Sequence, residues 1–348
     1  LVSALLMRGL ARVRAWPQIA SASLVALPLL VLLAVNDIAH PMGDVYLPSH
    51  GLGAWVWPLA LVWHVWALRR WPTEASQGQV RQFSHVGGVW LFCALLALEL
   101  VGRVQALALS GRAWLELSWV FVLAAVLFLL SASKIRHRWP VQAYPRAYLE
   151  LAALPLAALS GLWLVGAGLL SSGDAAPLPY LPLLNPLELG LLGVTMTWLQ
   201  WQRALPDDSP WQLPVALGAK LMALVGLTLL TGMVLRTCHH WADVPWSAHD
   251  LFASRLTQAA LSLTWALCAV IAMVLGDRRQ SRTVWIAGAA LLAVVVLKLF
   301  FVELADHGGI YRIVSFIGVG VLLLLVGYFA PVPGRKAEGV AQTNASGG

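Results

Sequence analysis

The sequence predicts an all-α fold, a polytopic transmembrane helical bundle of about ten spans. Of its 348 residues, 59% are hydrophobic and only 11% are charged, whereas soluble domains carry about 25% charged residues. One membrane-spanning helix takes about 20 apolar residues, and ten apolar runs of adequate length follow one another along the chain. The composition therefore excludes an ordinary soluble enzyme, and the short loops leave no room for a second folded domain.

The apolar runs are separated by short polar segments that contain Arg, Asp or Pro. The predicted spans are 19–36, 51–68, 85–107, 113–132, 148–171, 186–204, 213–236, 254–276, 283–303 and 311–330. We therefore expect a cytoplasmic N-terminal segment at residues 1–18, a transmembrane helical domain at 19–331 and a disordered cytoplasmic tail at 332–348. Because the chain starts with Leu1 rather than Met, we also expect its beginning to be truncated.

The distribution of basic residues predicts that both termini are cytoplasmic. Most of the 23 Lys and Arg residues lie in the N-terminal segment, in alternate loops after it and in the tail. Such an excess marks the loops on the cytoplasmic side of a membrane. The formal net charge of +7 is therefore interpreted as a topology signal of a multi-pass protein in the bacterial inner membrane. It does not indicate a nucleic-acid partner.

Charged side chains in or near the predicted spans form a candidate intramembrane polar site. They are Glu99, Arg103, Lys298, Glu303 and Arg312. A charge at the centre of a span costs about 2.5–3.5 kcal/mol, so such residues are functional candidates. Glu99 and Arg103 are four residues apart on one helical face and can pair, and Lys298 is predicted at a similar depth. Two interpretations remain open: the charges pair and fix helix register, or they line a polar cavity that opens outward.

The predicted outer face is rich in His and Asp, most densely at residues 236–250. The candidate outer-loop site consists of His239, His240, Asp243, His249 and Asp250. His and Asp can bind metals or transfer protons at neutral pH, but no established zinc spacing is present, and we expect neither a metal nor a cofactor. The favoured interpretation is an interfacial loop that Trp241 and Trp246 anchor, with Ser247 capping the eighth span through Asp250.

Three cysteines are too few for a disulfide framework. Cys93 and Cys268 lie inside apolar runs, where we expect them to pack as small apolar side chains. Cys238 is expected in the outer loop that joins the seventh and eighth spans.

The last hundred residues carry a distinctive order of segments. They include Leu-Ser-Leu-Thr-Trp-Ala-Leu at 261–267, Leu-Lys-Leu-Phe-Phe-Val-Glu at 297–303 and Tyr-Arg-Ile-Val-Ser-Phe at 311–316, with Leu-Leu-Asn-Pro-Leu at 183–187 upstream. This pattern, over about residues 180–331, resembles the bacterial membrane protein family known as domain of unknown function 2339. The resemblance implies an integral inner-membrane protein of undefined activity and transfers no catalytic residues. It singles out Lys298, Glu303 and Arg312; the family often has Asp where this chain has Glu303.

Three functions are compatible with these features. The leading hypothesis is a non-enzymatic cell-envelope component whose partners are the lipid bilayer and other membrane or envelope proteins. The alternative is a transporter or channel that moves a small solute or a lipid-linked molecule through the outward-facing polar cavity. A less favoured hypothesis is a membrane-embedded transferase that uses outer-loop acid–base groups, including Asp37, His40 and Asp44.

Overall fold

The computed structural model describes residues 31, 47–70, 78–107, 111–299 and 320. Within these ranges every regular element is helical, which confirms the predicted all-α class. The predicted first and tenth spans lie outside the described residues, except for residues 31 and 320. The N-terminal segment and the C-terminal tail lie outside them entirely.

The described helices, in chain order, follow the apolar runs of the sequence. They are α1 (Gly53–Arg69), α2 (Gly78–Ala106), α3 (Arg112–Ser131), α4 (Ser133–Arg136), α5 (Ala153–Leu170), α6 (Pro186–Ala204), α7 (Val215–Trp241), α8 (Ala248–Ala253), α9 (Arg255–Arg278) and α10 (Arg282–Lys298). A π-helical turn, Arg146–Ala152, leads directly into α5. The long helices from α1 to α10 overlap the second to ninth predicted spans, although α2 begins seven residues earlier and α7 ends five residues later than predicted.

Five helical stretches in the described residues are long and apolar enough to cross a membrane. They are Gly78–Ala106, Arg112–Ser131, Arg146–Leu170, Val215–Trp241 and Arg255–Arg278. Helices α1 and α10 have 17 residues each in the described part of the chain, slightly fewer than the usual span length of about 20 residues. The structure therefore supports several membrane spans, judged by helix length and composition.

Side-chain caps define where several helices begin. Asn185 accepts a hydrogen bond from the Leu187 amide at the start of α6, and Pro186 occupies the first helical position. Both features suit a helix start, because the cap satisfies a free amide and proline lacks one. Ser254 caps α9 in the same way through the Thr257 amide. These polar caps set helix starts that hydrophobicity alone would leave uncertain by several residues.

The chain divides into two compact units, residues 1–233 and 234–348, and the boundary falls within α7. Each unit has an apolar core of its own. In the first unit the π turn and α5 pack against α2, α3 and α6, with side chains such as Leu127, Leu149 and Trp201 fully buried. In the second unit Ala269, Met273 and Leu292 form the core between α9 and α10.

Three tryptophan side chains stabilise the irregular start of α5. Their indole N–H groups donate to backbone carbonyls: Trp90 to Ala152 at 3.2 Å, Trp198 to Ala157 at 3.0 Å and Trp201 to Leu149 at 2.8 Å. A π turn and a nearby proline both disturb the regular helical hydrogen-bond ladder. Neighbouring helices therefore supply donors to carbonyls there, as a proline-containing span requires.

The predicted loop position of Cys238 is wrong. Helix α7 continues through residues 236–241, and Cys238 lies in its last turns with 7% of its surface exposed. The first strong helix breakers come later, at Asp243, which has a positive φ of 53°, and at Pro245. Because nothing before Asp243 interrupts the backbone ladder, the helix extends beyond the apolar run that predicted it.

Candidate functional site

Glu99 is the centre of a hydrogen-bonded polar cluster in the first unit. Its two carboxylate oxygens accept hydrogen bonds from the Ser49 amide at 2.9 Å and the Ser49 hydroxyl at 2.6 Å. Arg103 donates to Glu99 at 2.8 Å and to the Ser49 hydroxyl at 2.9 Å. The predicted pairing of Glu99 with Arg103 is therefore present, and both oxygens of the carboxylate have protein partners.

The sequence interpretation did not include Ser49, which comes from the segment before α1. It lies 50 residues from Glu99 along the chain, so no helical spacing could indicate the contact. Through Ser49 the cluster fixes the start of α1 against α2. The Arg103 side chain remains 60% exposed while that of Glu99 is 22% exposed. The guanidinium is therefore the charged group of the cluster that is most exposed.

A cavity of about 280 Å³ lies beside the Glu99 cluster, between α1 and α2. Its lining includes Trp57, Phe92 and Leu95 together with Glu99 and Arg103. The cavity expected from the sequence was polar, whereas most of these walls are apolar. Its polar groups are confined to the cluster at one edge.

Lys298 connects the two long helices of the second unit. Its ammonium group donates to the backbone carbonyl of Gln258 at 3.0 Å and to the Ser262 hydroxyl at 2.6 Å. Lys298 is on α10 and both acceptors are on α9, so the contact ties one helix to the other. Glu99 and Lys298 belong to different units. Glu303 and Arg312, the other members of the candidate intramembrane site, lie outside the described residues.

The candidate outer-loop residues surround the end of α7 and the short helix α8. His239 and His240 lie on the last turn of α7 with their ring centroids 4.6 Å apart, and Nδ1 of His239 is 2.6 Å from the Val244 carbonyl oxygen. Asp243 and His249 are exposed. Within the described ranges, no group of three or more His, Cys, Asp or Glu side chains could hold a metal ion.

The predicted cap in this segment exists, but it caps a different helix. The Ser247 hydroxyl accepts from the Asp250 amide at 3.0 Å and donates to the Asp250 carboxylate at 2.6 Å. This pair starts α8, a six-residue helix, whereas Ser254 starts α9, which corresponds to the eighth predicted span. Asp37, His40 and Asp44 lie outside the described residues.

A second site, which sequence reasoning missed, surrounds His85 in the first unit. Nδ1 of His85 lies 2.7 Å from the Tyr148 hydroxyl, and its ring is stacked on Tyr144 with centroids 4.4 Å apart. Nε2 of His64 is 3.0 Å from the Ser84 carbonyl oxygen. These two histidines, from α2 and α1, are 1% and 6% exposed.

The histidines line a groove of about 530 Å³, named here the His85 groove. Its lining residues are Leu61, Val62, His64, Val65, Leu68, His85, Gly88, Val89, Phe92, Val126, Leu129, Leu130, Ile135, Pro140 and Tyr148. A Cβ atom at Gly88 would lie 2.5 Å from Nε2 of His64, so a larger residue there would displace the imidazole. A sequence signal does exist: His85, Gly88 and Phe92 share one face of α2.

A family model described as "Predicted membrane protein (DUF2339)" matches residues 1–333, well beyond the segment on which the sequence resemblance depended. No curated protein and no solved structure matches the chain.

Proposed function

Because the chain belongs to the DUF2339 family of predicted membrane proteins, we propose that it acts as a non-enzymatic component of the bacterial cell envelope. In this proposal it crosses the inner membrane about ten times, with both termini in the cytoplasm. Its charged intramembrane residues hold helices together and carry out no chemistry. Its partners are the lipid bilayer and other membrane or envelope proteins.

The observation that carries this proposal is that the charged groups of Glu99 and Lys298 form hydrogen bonds with other protein groups. Both oxygens of Glu99 accept hydrogen bonds from Ser49 or Arg103, and Lys298 donates to two groups of α9. In an apolar environment an ionised side chain is stabilised by such partners, and removing one partner is strongly destabilising. Groups that are engaged in this way fit a role in helix packing.

Contacts within the first unit support the proposed orientation. Segments predicted on the outer side meet one another: Ala113 donates its amide to the Asp174 carbonyl. Segments predicted on the cytoplasmic side also meet, since Arg146 pairs with Asp208. The second group includes most of the unit's basic loop residues, as the positive-inside rule expects.

Cysteine labelling tests the orientation. In a variant without Cys93, Cys238 and Cys268, we expect Leu178→Cys to react with a membrane-impermeant maleimide added to intact cells. Gln142→Cys should react only after the inner membrane is permeabilised, because its loop is on the proposed cytoplasmic side. Both positions are exposed, so unequal accessibility within the protein does not explain a difference. The opposite labelling pattern would overturn the proposed topology.

Replacement of Glu99 tests the structural role. We expect Glu99→Ala to lower the free energy of unfolding in detergent by about 2 kcal/mol, because Ser49 and Arg103 lose their shared acceptor. Titration with sodium dodecyl sulfate, followed by tryptophan fluorescence, measures the change.

Glu116→Ala is the matched control, because Glu116 pairs with Arg112 at the same i,i+4 spacing on α3. The Arg112 side chain of this pair is 86% exposed, and an i,i+4 helical pair of this kind contributes only about 0.3–0.5 kcal/mol. If Glu99→Ala and Glu116→Ala lowered the free energy of unfolding equally, this result would contradict a special packing role for Glu99.

Transport is a second candidate function, favoured by the cavity next to Glu99 and Arg103. The exposed guanidinium of Arg103 could attract a small anion into that cavity. Purified protein in proteoliposomes should then support anion flux that Arg103→Gln reduces while Arg112→Gln does not. Flux no greater than in protein-free liposomes for chloride, phosphate and carboxylates would reject this candidate.

A further inference from the structure

The His85 groove is open along its side. Val62, Val65 and Phe92, which line it, are 67%, 50% and 42% exposed. Its volume of about 530 Å³ is within the range of about 300–1,000 Å³ that small ligands occupy. An open apolar groove of this size on a membrane-spanning unit is accessible to a lipid acyl chain.

Two arginines, on α1 and α2, lie within one helical turn of residues that line this groove. The guanidinium of Arg69, on α1, lies 5.1 Å from the ring centroid of Trp139, and that of Arg81, on α2, lies 5.0 Å from the ring centroid of Tyr144. Across the described ranges neither arginine forms an ion pair with a carboxylate. Aromatic faces hold the two cations in place, and the N–H groups at the guanidinium edges suit a phosphate.

The connection between these arginines and the groove follows from helical spacing. Arg81, His85, Gly88 and Phe92 are separated by four, three and four residues, so they follow one another along one face of α2. Along that face the order is a cation, a polar ring and then apolar lining. The same order of charge, polar group and hydrocarbon describes a phospholipid from its phosphate to its acyl chains.

His85 also provides an unused polar atom. Its Nε2 is buried and has no hydrogen-bond partner among the described residues, while Nδ1 contacts the Tyr148 hydroxyl. When Tyr148 donates to Nδ1, the ring proton is on Nε2, which then can donate to an oxygen of a bound molecule. A buried donor without a partner is uncommon in a folded protein, and it points to a ligand.

We propose that the His85 groove binds an anionic glycerophospholipid. Its phosphate lies between Arg69 and Arg81, an ester oxygen accepts from Nε2 of His85, and one acyl chain follows Val65 and Phe92. Basic pockets between transmembrane helices on the cytoplasmic side are suited to such headgroups. The choice of the cytoplasmic leaflet depends on the proposed orientation, whereas binding itself does not.

Native mass spectrometry of the full chain in detergent tests this proposal. The probes are phosphatidylglycerol and phosphatidylcholine with identical acyl chains, and we expect phosphatidylglycerol to be retained about tenfold better. The double variant Arg69→Gln/Arg81→Gln should reduce phosphatidylglycerol retention about tenfold, with little effect on phosphatidylcholine. Val65→Trp, which fills the groove without changing charge, should reduce retention of both lipids.

Arg146→Gln is the matched control for the loss of positive charge. Arg146 belongs to the same end of the first unit, but its guanidinium already pairs with Asp208, so retention should change by less than about twofold. Arg69→Lys/Arg81→Lys keeps both charges and should retain phosphatidylglycerol better than the glutamine variant. If the glutamine variant elutes as an aggregate, lipid retention is compared between Val65→Trp and Arg146→Gln. Reduced retention in Val65→Trp alone supports binding in the groove, and equal retention contradicts it.

Three results would overturn the proposal. Equal retention of the two lipids would show that the groove does not recognise the headgroup. If Arg146→Gln lost as much phosphatidylglycerol as the double glutamine variant, the effect would be one of general surface charge. Retention of no lipid by the unmodified chain would mean that something else covers the groove, such as the predicted span 19–36. The cysteine labelling described above measures topology separately, so a wrong orientation and a failure of lipid binding give different results.

Discussion

Changing Gly288 to alanine should destabilise the packing of α9 against α10 by about 3 kcal/mol. A Cβ atom at this position would lie 2.7 Å from the Ala269 carbonyl oxygen and 2.9 Å from the Met273 amide nitrogen. Both are backbone atoms of α9, so a side-chain rotation cannot relieve the clash. Small residues allow helix backbones to approach closely in membranes, where packing rather than hydrophobicity drives helix association. Insertion of one methyl group should therefore separate the two helices.

The control for this change is Gly193→Ala on α6, where no atom lies within 4 Å of the added Cβ. Alanine favours a helix interior over glycine by about 1 kcal/mol, so Gly193→Ala should leave the stability unchanged or raise it slightly. Unfolding in detergent, followed by tryptophan fluorescence, measures both variants. If Gly288→Ala lowered the free energy of unfolding no more than Gly193→Ala does, α9 and α10 would not pack this closely.

Local features of this fold could be predicted from the sequence. The apolar runs indicated the helices, since hydrophobic length is a property of each segment alone. The i,i+4 spacing predicted the pairing of Glu99 with Arg103, and the Ser247–Asp250 pair was predicted as a cap. These features depend on residues within one helical turn of each other.

Contacts between distant segments could not be predicted in the same way. Ser49 reaches Glu99 from 50 residues away, and His85 reaches Tyr148 from 63 residues away. Such pairs depend on how helices pack, and a single sequence contains no periodic signal of their partners. The π turn at 146–152 escaped prediction for a related reason: its tryptophan donors come from α2 and α6.

Glu188 contacts residues five and eight positions earlier in the chain, and these contacts do not follow helical spacing either. This residue is 5% exposed in the first turn of α6, and its carboxylate accepts from the Tyr180 hydroxyl and from the Leu183 amide. These contacts fasten the segment that connects α5 to α6. Leu183 has a positive φ of 67°, a conformation that costs a non-glycine residue of order 1–3 kcal/mol unless surrounding contacts hold it.

We expect Glu188→Ala to lower the free energy of unfolding by about 3 kcal/mol, because the buried Tyr180 hydroxyl and the part-buried Leu183 amide lose the carboxylate that accepts from them. Tyr180→Phe removes only one of these hydrogen bonds and should cost about 1 kcal/mol. A double-mutant cycle of the two changes should therefore give a coupling energy of about 1 kcal/mol. The unfolding titration used for Glu99→Ala measures all three variants.

Limited proteolysis gives an independent measurement of the same contact. When Glu188 no longer holds Tyr180 and Leu183, the segment between α5 and α6 should open locally and be cleaved faster. Asp207→Ala is the control, because Asp207 is an exposed carboxylate in the connection after α6, where loss of charge should leave cleavage of residues 171–185 unchanged. Additive effects in the cycle, together with unchanged cleavage in Glu188→Ala, would mean that Glu188 does not anchor this segment. Coupling together with faster cleavage would assign Glu188 the same structural role that we propose for Glu99.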